Sequence, residues 1–225
     1  MNDLAIVCYS CDKNEEVWPI YKKCIDKYWP NHPNIYLLNE TKKCDFINTI
    51  CFDYDLDHWT IRIRKSLEEI KENYIIFMSD DIFLSDFINQ EKLEKCLEIL
   101  KDGIYSNIQF ELSWHGNDVN SEYEGFKKKI EASPYKLSFL CGMWNKKDLL
   151  KLLEEDDNPW WLEYRQNLKG LKVLQVTDKK VLTWYNDGFG GNGAIKMGHW
   201  QHGVEDFLKK ENIEVDFSKK GFCKN

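Results

Sequence analysis

Two adjacent carboxylates, Asp80 and Asp81, follow Ser79 and a run of five apolar residues at positions 74–78. The apolar run predicts a strand buried on both faces, which would deliver the acids to its carboxyl end. Open α/β sheets bind their ligands at that edge. Because neighbouring carboxylates repel each other and oxygen ligands favour hard cations, the pair predicts a Mg²⁺ or Mn²⁺ site. A helix N-cap or a solvated turn would use the same residues.

A third acid, Glu163, lies in the stretch NPWWLEY at positions 158–164. Asn158 as the N-cap and Pro159 at the first helical position predict the start of a helix. Glu163 then follows two tryptophans. An apolar setting raises the pKa of a carboxyl toward neutrality, which suits a general base. The alternative is a solvated helix glutamate.

The elements that must position these acids form a β-α-β pattern. An apolar run at 4–9 predicts a buried strand, helical spacing of apolar residues follows at 17–28, and a second short strand is predicted at 35–38. An amphipathic helix at 59–73 precedes the strand at 74–78, and a charged helix is predicted at 91–100. We expect further strands at 107–112, 137–141, 173–176 and 181–184, with helices at 147–154 and 204–210. The fold class is therefore α/β, more regular in its first half.

Composition narrows the functional classes. A length of 225 residues fits one domain, which we expect to cover residues 1–225. The formal net charge of −7 gives no basic surface for nucleic acid, so we expect no nucleic-acid partner. No apolar run reaches the ~20 residues that cross a bilayer, and the N-terminus does not resemble a signal peptide. We therefore expect a cytoplasmic protein whose eight cysteines are reduced thiols.

The stretch YIIFMSDDIF at positions 74–83 resembles the D-x-D region of GT-A-type glycosyltransferases, which use nucleotide-activated sugars. It is most similar to the small bacterial and viral enzymes that build surface polysaccharides. In those the last carboxylate of the motif holds the metal. The corresponding triplet here is Ser79-Asp80-Asp81, with serine in place of the first acid.

The resemblance implies a GT-A-like (Rossmann-like) fold with a mixed, mostly parallel central sheet flanked by helices. It implies a donor half at 1–110 and an acceptor half at 111–225 that contains a C-terminal glycine-rich loop. Asp81 would be the main metal ligand, and Asp80 would contact metal or ribose. The remaining contacts to the nucleotide would come from the end of the first strand and from the loop and helix before the acidic strand: Tyr9, Ser10, Asp57, Trp59 and Arg62.

These nucleotide contacts have a physical basis and an ordinary alternative. Tyr9 or Trp59 could stack on a base, and Arg62 could reach a carbonyl or a phosphate. Equally, Tyr9 could be a core residue and Arg62 a solvated helix residue. Downstream, Gly142 would let the backbone approach a ligand and Trp144 would offer a sugar-stacking face, unless they belong to an ordinary strand end.

The resemblance also extends to the acceptor half. The related enzymes carry a similar Pro-Trp-x-x-Glu pattern, so Glu163 would deprotonate the acceptor hydroxyl. Six glycines at 186–203 predict a mobile loop over the donor, without the spacing of a P-loop. Related enzymes often complete the metal or diphosphate site with a C-terminal cation. Lys196, His199 and His202 compete for this role, and we predict Lys196 for phosphate and His199 for the metal.

The expected activity is transfer of a sugar from a nucleoside-diphosphate sugar, most simply UDP-linked, to a glycan hydroxyl with inversion. Mn²⁺ or Mg²⁺ would be the cofactor, and a lipid-linked acceptor would add peripheral membrane association. The oligomeric state stays open. The alternatives are a thioredoxin-like redox protein using Cys8-x-x-Cys11, a nucleotidyltransferase, and a non-catalytic carbohydrate-binding module.

Overall fold

The computed structural model describes residues 3–55, 58–110, 118–130, 136–165, 170–185 and 193–224, without the side chain of Arg165. The strands are β1 (Leu4–Tyr9), β2 (Ile35–Asn39), β3 (Asn48–Cys51), β4 (Tyr74–Ser79), β5 (Asn107–Gln109), β6 (Val119–Asn120), β7 (Phe126–Lys128), β8 (Cys141–Asn145), β9 (Val173–Val176), β10 (Ile195–Lys196) and β11 (His199–Trp200). The helices are α1 (Trp18–Tyr28), α2 (Trp59–Glu68), α3 (Gln90–Lys101), α4 (Lys146–Leu152), α5 (Pro159–Arg165) and α6 (Val204–Lys210), and a 3₁₀ helix, Asp12–Val17, precedes α1.

Nine of these strands form one sheet in the order β3-β2-β1-β4-β8-β5-β9-β7-β6. β1 pairs in parallel with β2 and β4, and its last residue, Tyr9, lies opposite Ser79 of β4. Among the described strands of this sheet, only β7 and β8 run against the others. The predicted mixed, mostly parallel α/β sheet is thus confirmed. The carboxyl ends of β1, β2 and β4 meet at one edge.

Helices cover both faces of the sheet, which explains why its central strands are continuously apolar. Along β1, Leu4, Ile6 and Cys8 face a core built with α1, α3 and α6. Ala5 and Val7 face a second core built with α2, α4 and α5. The structure therefore has three layers, and β1 and β4 have no solvent-facing side except at their ends.

The region after the first half departs from the predicted elements. The strand predicted at 137–141 lies at Cys141–Asn145 instead, so Gly142 and Trp144 are inside β8. A Cβ on Gly142 would lie 3.0 Å from the carbonyl oxygen of Ile108, so this glycine allows β8 and β5 to pair closely. Trp144 is only 1% exposed, which makes it a core side chain and not a sugar-stacking face.

Other differences are smaller. The prediction of a strand at 181–184 is wrong, because only an isolated bridge between Leu84 and Trp184 forms there. Strand β3 was not predicted, since its four residues are exposed or half-buried and lack an apolar pattern. The helices at α1, α3 and α6 lie within one or two residues of the predicted bounds. Within the described residues, no helix combines the length and apolar character needed to cross a membrane.

The position of Trp144 gives a stability prediction. Trp144→Ala removes a fully buried indole and should lower the free energy of unfolding by about 3–5 kcal/mol. Trp160→Ala, at a residue that is 64% exposed, should change it by less than about 0.5 kcal/mol. Urea unfolding of both variants measures the difference. Equal, small effects would contradict the placement of Trp144 in the core.

Candidate active site

Asp80 is held at the carboxyl end of β4 by donors from the start of the chain. Its side chain is buried, and Oδ2 accepts a 2.5 Å hydrogen bond from the Ser10 hydroxyl. Ser10 accepts in turn from the Trp18 indole N–H at 2.7 Å. The amide of Asn14 donates to Oδ1 at 3.2 Å. The segment that follows β1 therefore fixes the orientation of this carboxylate.

Asp81 is held by the C-terminal part of the chain. The Ser79 hydroxyl donates to its Oδ1 at 2.5 Å, and the backbone N–H of Ile195 donates to Oδ2 at 3.0 Å. The backbone carbonyl of Asp81 accepts from Ala194 at 2.9 Å. A Cβ on Gly193 would lie 2.1 Å from Oδ2, so only glycine fits at this approach. The described part of the glycine-rich segment thus packs against the acidic pair.

Burial makes the ionised pair unfavourable. It raises the pKa of Asp80 to about 7, and the charge of Asp81 adds to the rise. Burial also raises the pKa of Asp81, against the opposing effect of the hydrogen bonds from Ser79 and Ile195. A cation beside the two carboxylates would offset this cost. An all-oxygen donor set fits Mg²⁺ or Mn²⁺ in kind.

The predicted third metal ligand does not lie with the pair. In the parts of the chain that the structure describes, no group of three or more His, Cys, Asp or Glu residues is arranged to hold a metal. His199 is exposed, and its Nδ1 lies 2.6 Å from the carbonyl oxygen of Lys220. His202 Nε2 lies 2.8 Å from the carbonyl oxygen of Cys223, and the side chain of Lys196 is exposed.

A cation that sequence analysis did not identify, Lys220, lies near Asp80. Its Nζ donates to the amide oxygen of Asn14 at 3.0 Å and to the backbone carbonyl of Lys13 at 2.5 Å. The side chain is only 7% exposed, and its charge lowers the pKa of Asp80. No local sequence pattern marks this residue, because it is far from Asp80 along the chain.

Tyr9 ends β1 and lies opposite Ser79 of β4, next to the acidic pair. Its ring stacks on Phe77 with centroids 5.0 Å apart, and it is only half-buried. Burial raises the pKa of the Tyr9 hydroxyl, and the charges of Glu163 and Asp81 raise it further. Glu163 lies at the same edge of the sheet, because it accepts from the N–H of Phe139 while the carbonyl of the next residue, Leu140, accepts from the N–H of Ser79.

Glu163 is oriented from α5, which begins as predicted. The Asn158 side chain accepts from the backbone N–H of Trp161 at 3.0 Å, and Pro159 is the first helical residue. Glu163 Oε1 accepts from the backbone N–H of Phe139 at 2.5 Å. Burial raises the pKa of Glu163, while the hydrogen bonds from Phe139 and Ser138 oppose the rise.

Arg62 is buried in α2 with part of its guanidinium unsatisfied. It is only 2% exposed, and Nη1 forms an ion pair with Glu40 Oε1 at 3.3 Å. Neither Nε nor Nη1 has a hydrogen-bond partner among the described residues. Burial lowers the pKa of Arg62, while Glu40 opposes that change, and Asp80 is among the charges that act on it.

Glu40 was missed by sequence analysis although a signal exists. It directly follows β2, as Asp80 and Asp81 directly follow β4, so an acid after an apolar run marks both positions. Of the other predicted nucleotide contacts, Asp57 lies outside the described residues. Trp59 is 1% exposed and its ring meets Tyr9 edge-on, so its faces are not open for stacking on a base.

The two cysteines of the redox alternative lie in an unsuitable environment. Cys8 and Cys11 are free thiols, and Cys8 is fully buried. Burial and the charge of Asp80 raise the pKa of both thiols. Redox-active cysteines need a lowered thiol pKa, so this environment disfavours a thioredoxin-like redox function for Cys8 and Cys11.

Comparison with known proteins supports the fold. No protein-family model matches the sequence, and no curated protein matches it. TarS 1–349 from S. aureus in complex with UDP-GlcNAc superimposes with a TM-score of 0.50 at 10% identity, over 96% of this chain and 69% of that one. A cytidylyltransferase from Leptospira borgpetersenii serovar Hardjo-bovis superimposes with a TM-score of 0.50 at 8% identity, over 80% of this chain and 78% of that one.

The extent of these similarities is limited. The chain spans 52% of the bifunctional IspDF from Campylobacter jejuni and 60% of another TarS 1–349 structure. At such low identity the comparisons show the fold alone. The chain has the GT-A-like α/β fold, with a mixed, mostly parallel sheet flanked by helices, that the resemblance of residues 74–83 implies.

The burial of Asp80 gives a prediction on stability and pH. Its pKa is higher in the folded chain than in the unfolded chain, so its contribution to stability is present below about pH 4 and is lost as the pH rises through 7. In Asp80→Asn the amide oxygen can accept from Asn14 and the amide N–H can donate to the Ser10 hydroxyl oxygen, so both partners are kept without the charge. At pH 8 it should raise Tm by at least about 2 °C.

Thermal unfolding without added metal from about pH 4 to pH 8 measures this effect. The difference between Asp80→Asn and the wild type should grow with pH. Asp86→Asn, which changes an exposed aspartate seven residues after Ser79, is the matched control and should show no such trend. A variant less stable than the wild type at every pH would contradict the electrostatic account of Asp80.

Proposed function

We propose that the protein is a glycosyltransferase that uses a nucleoside-diphosphate sugar and Mn²⁺ or Mg²⁺. It would transfer the sugar to a hydroxyl of a glycan, as in the assembly of surface polysaccharides. The observation that carries the proposal is the buried guanidinium of Arg62, whose Nε and Nη1 lack hydrogen-bond partners among the described residues. Such groups cost free energy when left unsatisfied, so a ligand that accepts from them would be bound there.

The pairing of Arg62 with Glu40 supports a pyrimidine nucleotide, most simply uridine. Arg62 offers donors, and Glu40, 3.3 Å away, offers an acceptor. The uracil ring presents an N–H between two carbonyl oxygens, which such a donor-acceptor pair can read. The half-buried ring of Tyr9 at the end of β1 would contact the nucleotide at the same edge.

Asp81 and Asp80 would hold the divalent cation, which neutralises negative charge on the leaving diphosphate. The chain itself keeps both carboxylates in place before substrate arrives. Ser10 and Asn14 orient Asp80, and Ser79 with the backbone of Ile195 orients Asp81. This preorganisation removes the cost of arranging the acids during the reaction.

Glu163 would act as the general base. The hydrogen bond from the Phe139 N–H fixes its carboxylate, and burial raises its pKa toward the range useful for proton transfer. The acceptor hydroxyl gives its proton to Glu163 as its oxygen bonds to the anomeric carbon. The bond from that carbon to the diphosphate breaks, and the nucleoside diphosphate leaves with the bonding electrons. In-line attack of this kind inverts the anomeric configuration.

Nucleotidyl transfer, which the same fold supports elsewhere, has less support in this chain. The segment after β1 is the 3₁₀ helix Asp12–Val17, which contains three acids, one lysine and no glycine. A nucleoside triphosphate entering beside this segment would meet like charge. The carboxylate of Glu163 would also have no role in that reaction.

Donor binding can be tested by thermal shift with UDP and MnCl₂. A ligand that binds the folded chain at 100 times its Kd stabilises it by about 2.7 kcal/mol, so the wild-type Tm should rise by several degrees. Arg62→Lys should lose most of the shift, because one ammonium cannot replace the planar donor set. Asp81→Asn should lose the part that depends on Mn²⁺.

Arg64→Lys, the same change two residues away on α2, is the matched control. Arg64 Nε also lacks a hydrogen-bond partner among the described residues, but residues two apart on a helix face different sides, so this variant should keep the full shift. An Arg62→Lys protein that binds UDP as the wild type does would contradict the nucleotide role of Arg62. Unaltered metal dependence in Asp81→Asn would contradict the proposed function as a whole.

The base can be tested by Glu163→Gln. Sugar transfer from UDP-sugars to neutral oligosaccharide acceptors should fall by about 10²–10⁴-fold, while the UDP-Mn²⁺ thermal shift stays unchanged. In the wild type, kcat/KM should decrease as the pH falls through the raised pKa of Glu163, because a general base must be ionised to accept a proton. This decrease at low pH should be absent in Glu163→Gln.

Glu98→Gln, which changes an exposed glutamate on α3, serves as the control and should transfer normally. Normal turnover of Glu163→Gln would remove Glu163 from the mechanism and leave the donor site untouched.

A further inference from the structure

The outer face of α5 presents three aromatic side chains to solvent. Trp160 is 64% exposed, Trp161 51% and Tyr164 77%, and the last two rings meet edge-on with centroids 5.7 Å apart. These residues are spaced i, i+1 and i+4, so they share one side of the helix. Large aromatic rings exposed together mark an interaction site more often than single exposed apolar residues do. We name these three residues the aromatic face.

The inner side of the same helix holds the aromatic face in a fixed position. Leu162 is buried in the core beneath α2 and α4, and Glu163 accepts from the Phe139 N–H at 2.5 Å. The Asn158 side chain caps the first turn by accepting from the N–H of Trp161. The exposed rings and the candidate base are therefore adjacent parts of one seven-residue helix, and a molecule on the rings would extend toward Glu163.

The charge around the aromatic face selects among partners. The residues just before α5 are Glu154, Glu155, Asp156 and Asp157, and the first three are exposed. This acidic run repels phosphates and anionic lipid headgroups. It therefore suits a neutral ligand better than an anionic one. The C–H faces of sugar rings are apolar and pack on aromatic rings, and aromatic rings with a few polar groups are typical of small-molecule sites.

We propose that the aromatic face binds the glycan part of the acceptor, so that the acceptor substrate is a neutral oligosaccharide. The sugar to be extended would place its hydroxyl at Glu163, and one or two preceding sugars would stack on Trp160, Trp161 and Tyr164. This inference rests on the proposed function and adds to it the class of acceptor. It predicts that a monosaccharide acceptor is used poorly, because it cannot reach both Glu163 and the rings.

The test measures binding separately from turnover. Wild-type protein and the double variant Trp160→Ala/Tyr164→Ala are titrated with neutral tetrasaccharides, with acidic tetrasaccharides, and with vesicles containing about 30% phosphatidylglycerol. We expect neutral tetrasaccharides to bind the wild type at about 1 mM or below, and the double variant to bind at least about tenfold more weakly. In transfer assays the variant should show a raised acceptor KM, with the UDP-Mn²⁺ thermal shift unchanged.

Phe87→Ala is the matched control, because Phe87 is an aromatic residue that is 65% exposed elsewhere on the protein, and it should bind glycans as the wild type does. Unchanged Tm in all variants establishes that they are folded. The proposal is overturned if no neutral tetrasaccharide binds the wild type, if the double variant binds it equally well, if only the anionic ligands or vesicles depend on the rings, or if the variant changes only the oligomeric state in sedimentation.

The outcome for the aromatic face is separable from that for the proposed function. Glycan binding that depends on the rings, in a protein where Asp81→Asn leaves donor use and metal dependence unaltered, would keep the binding surface and remove the transferase. Loss of donor use in Asp81→Asn, together with glycan binding that does not depend on the rings, would support the transferase and remove the aromatic face as its acceptor site.

Discussion

Two carboxylates side by side in a buried position are the constraint around which this protein is organised. Asp80 and Asp81 lie at the end of β4, 2% and 6% exposed, where like charges are poorly screened. Segments from the N-terminal and C-terminal parts of the chain offset that cost by supplying hydrogen-bond donors or positive charge. Ser10 and Asn14 approach from the start of the chain, and Ile195 and Lys220 from its far end. The pair would be stabilised by further positive charge.

The sheet supplies the geometry that this electrostatic arrangement needs. Because β1 and β4 pair in parallel with Tyr9 opposite Ser79, the residues that follow both strands emerge side by side. β8 runs antiparallel beside β4, and the backbone N–H of Ser79 bonds to the carbonyl of Leu140. The neighbouring Phe139 thereby holds Glu163 next to the same edge. One register thus places the acidic pair and Glu163 at the same edge of the sheet.

Sequence alone predicts those features that depend on neighbours along the chain. The apolar runs of β1 and β4, the acids that end β4, and the Asn158-Pro159 start of α5 all follow from local patterns. Features set by distant packing were not predictable. Trp144 and Gly142 lie in β8 because Ile108 and its strand pair with them, and no local signal separates that position from a strand end. The positions of Lys220 and of Gly193–Ile195 beside the acidic pair depend on how the last quarter of the chain returns to β4. Glu40, by contrast, had the same signal as the acidic pair.

The contact between Lys220 and the segment after β1 has a consequence for how the protein is made. The ammonium of Lys220 donates to Asn14 and to the carbonyl of Lys13, about 200 residues away along the chain. During synthesis the first strands can pair early, yet the acids of β4 lack this cation until residue 220 has left the ribosome. Until then Asp80 lacks a charge that lowers the pKa of its carboxyl, so the site is completed after the strands that carry the acids have paired.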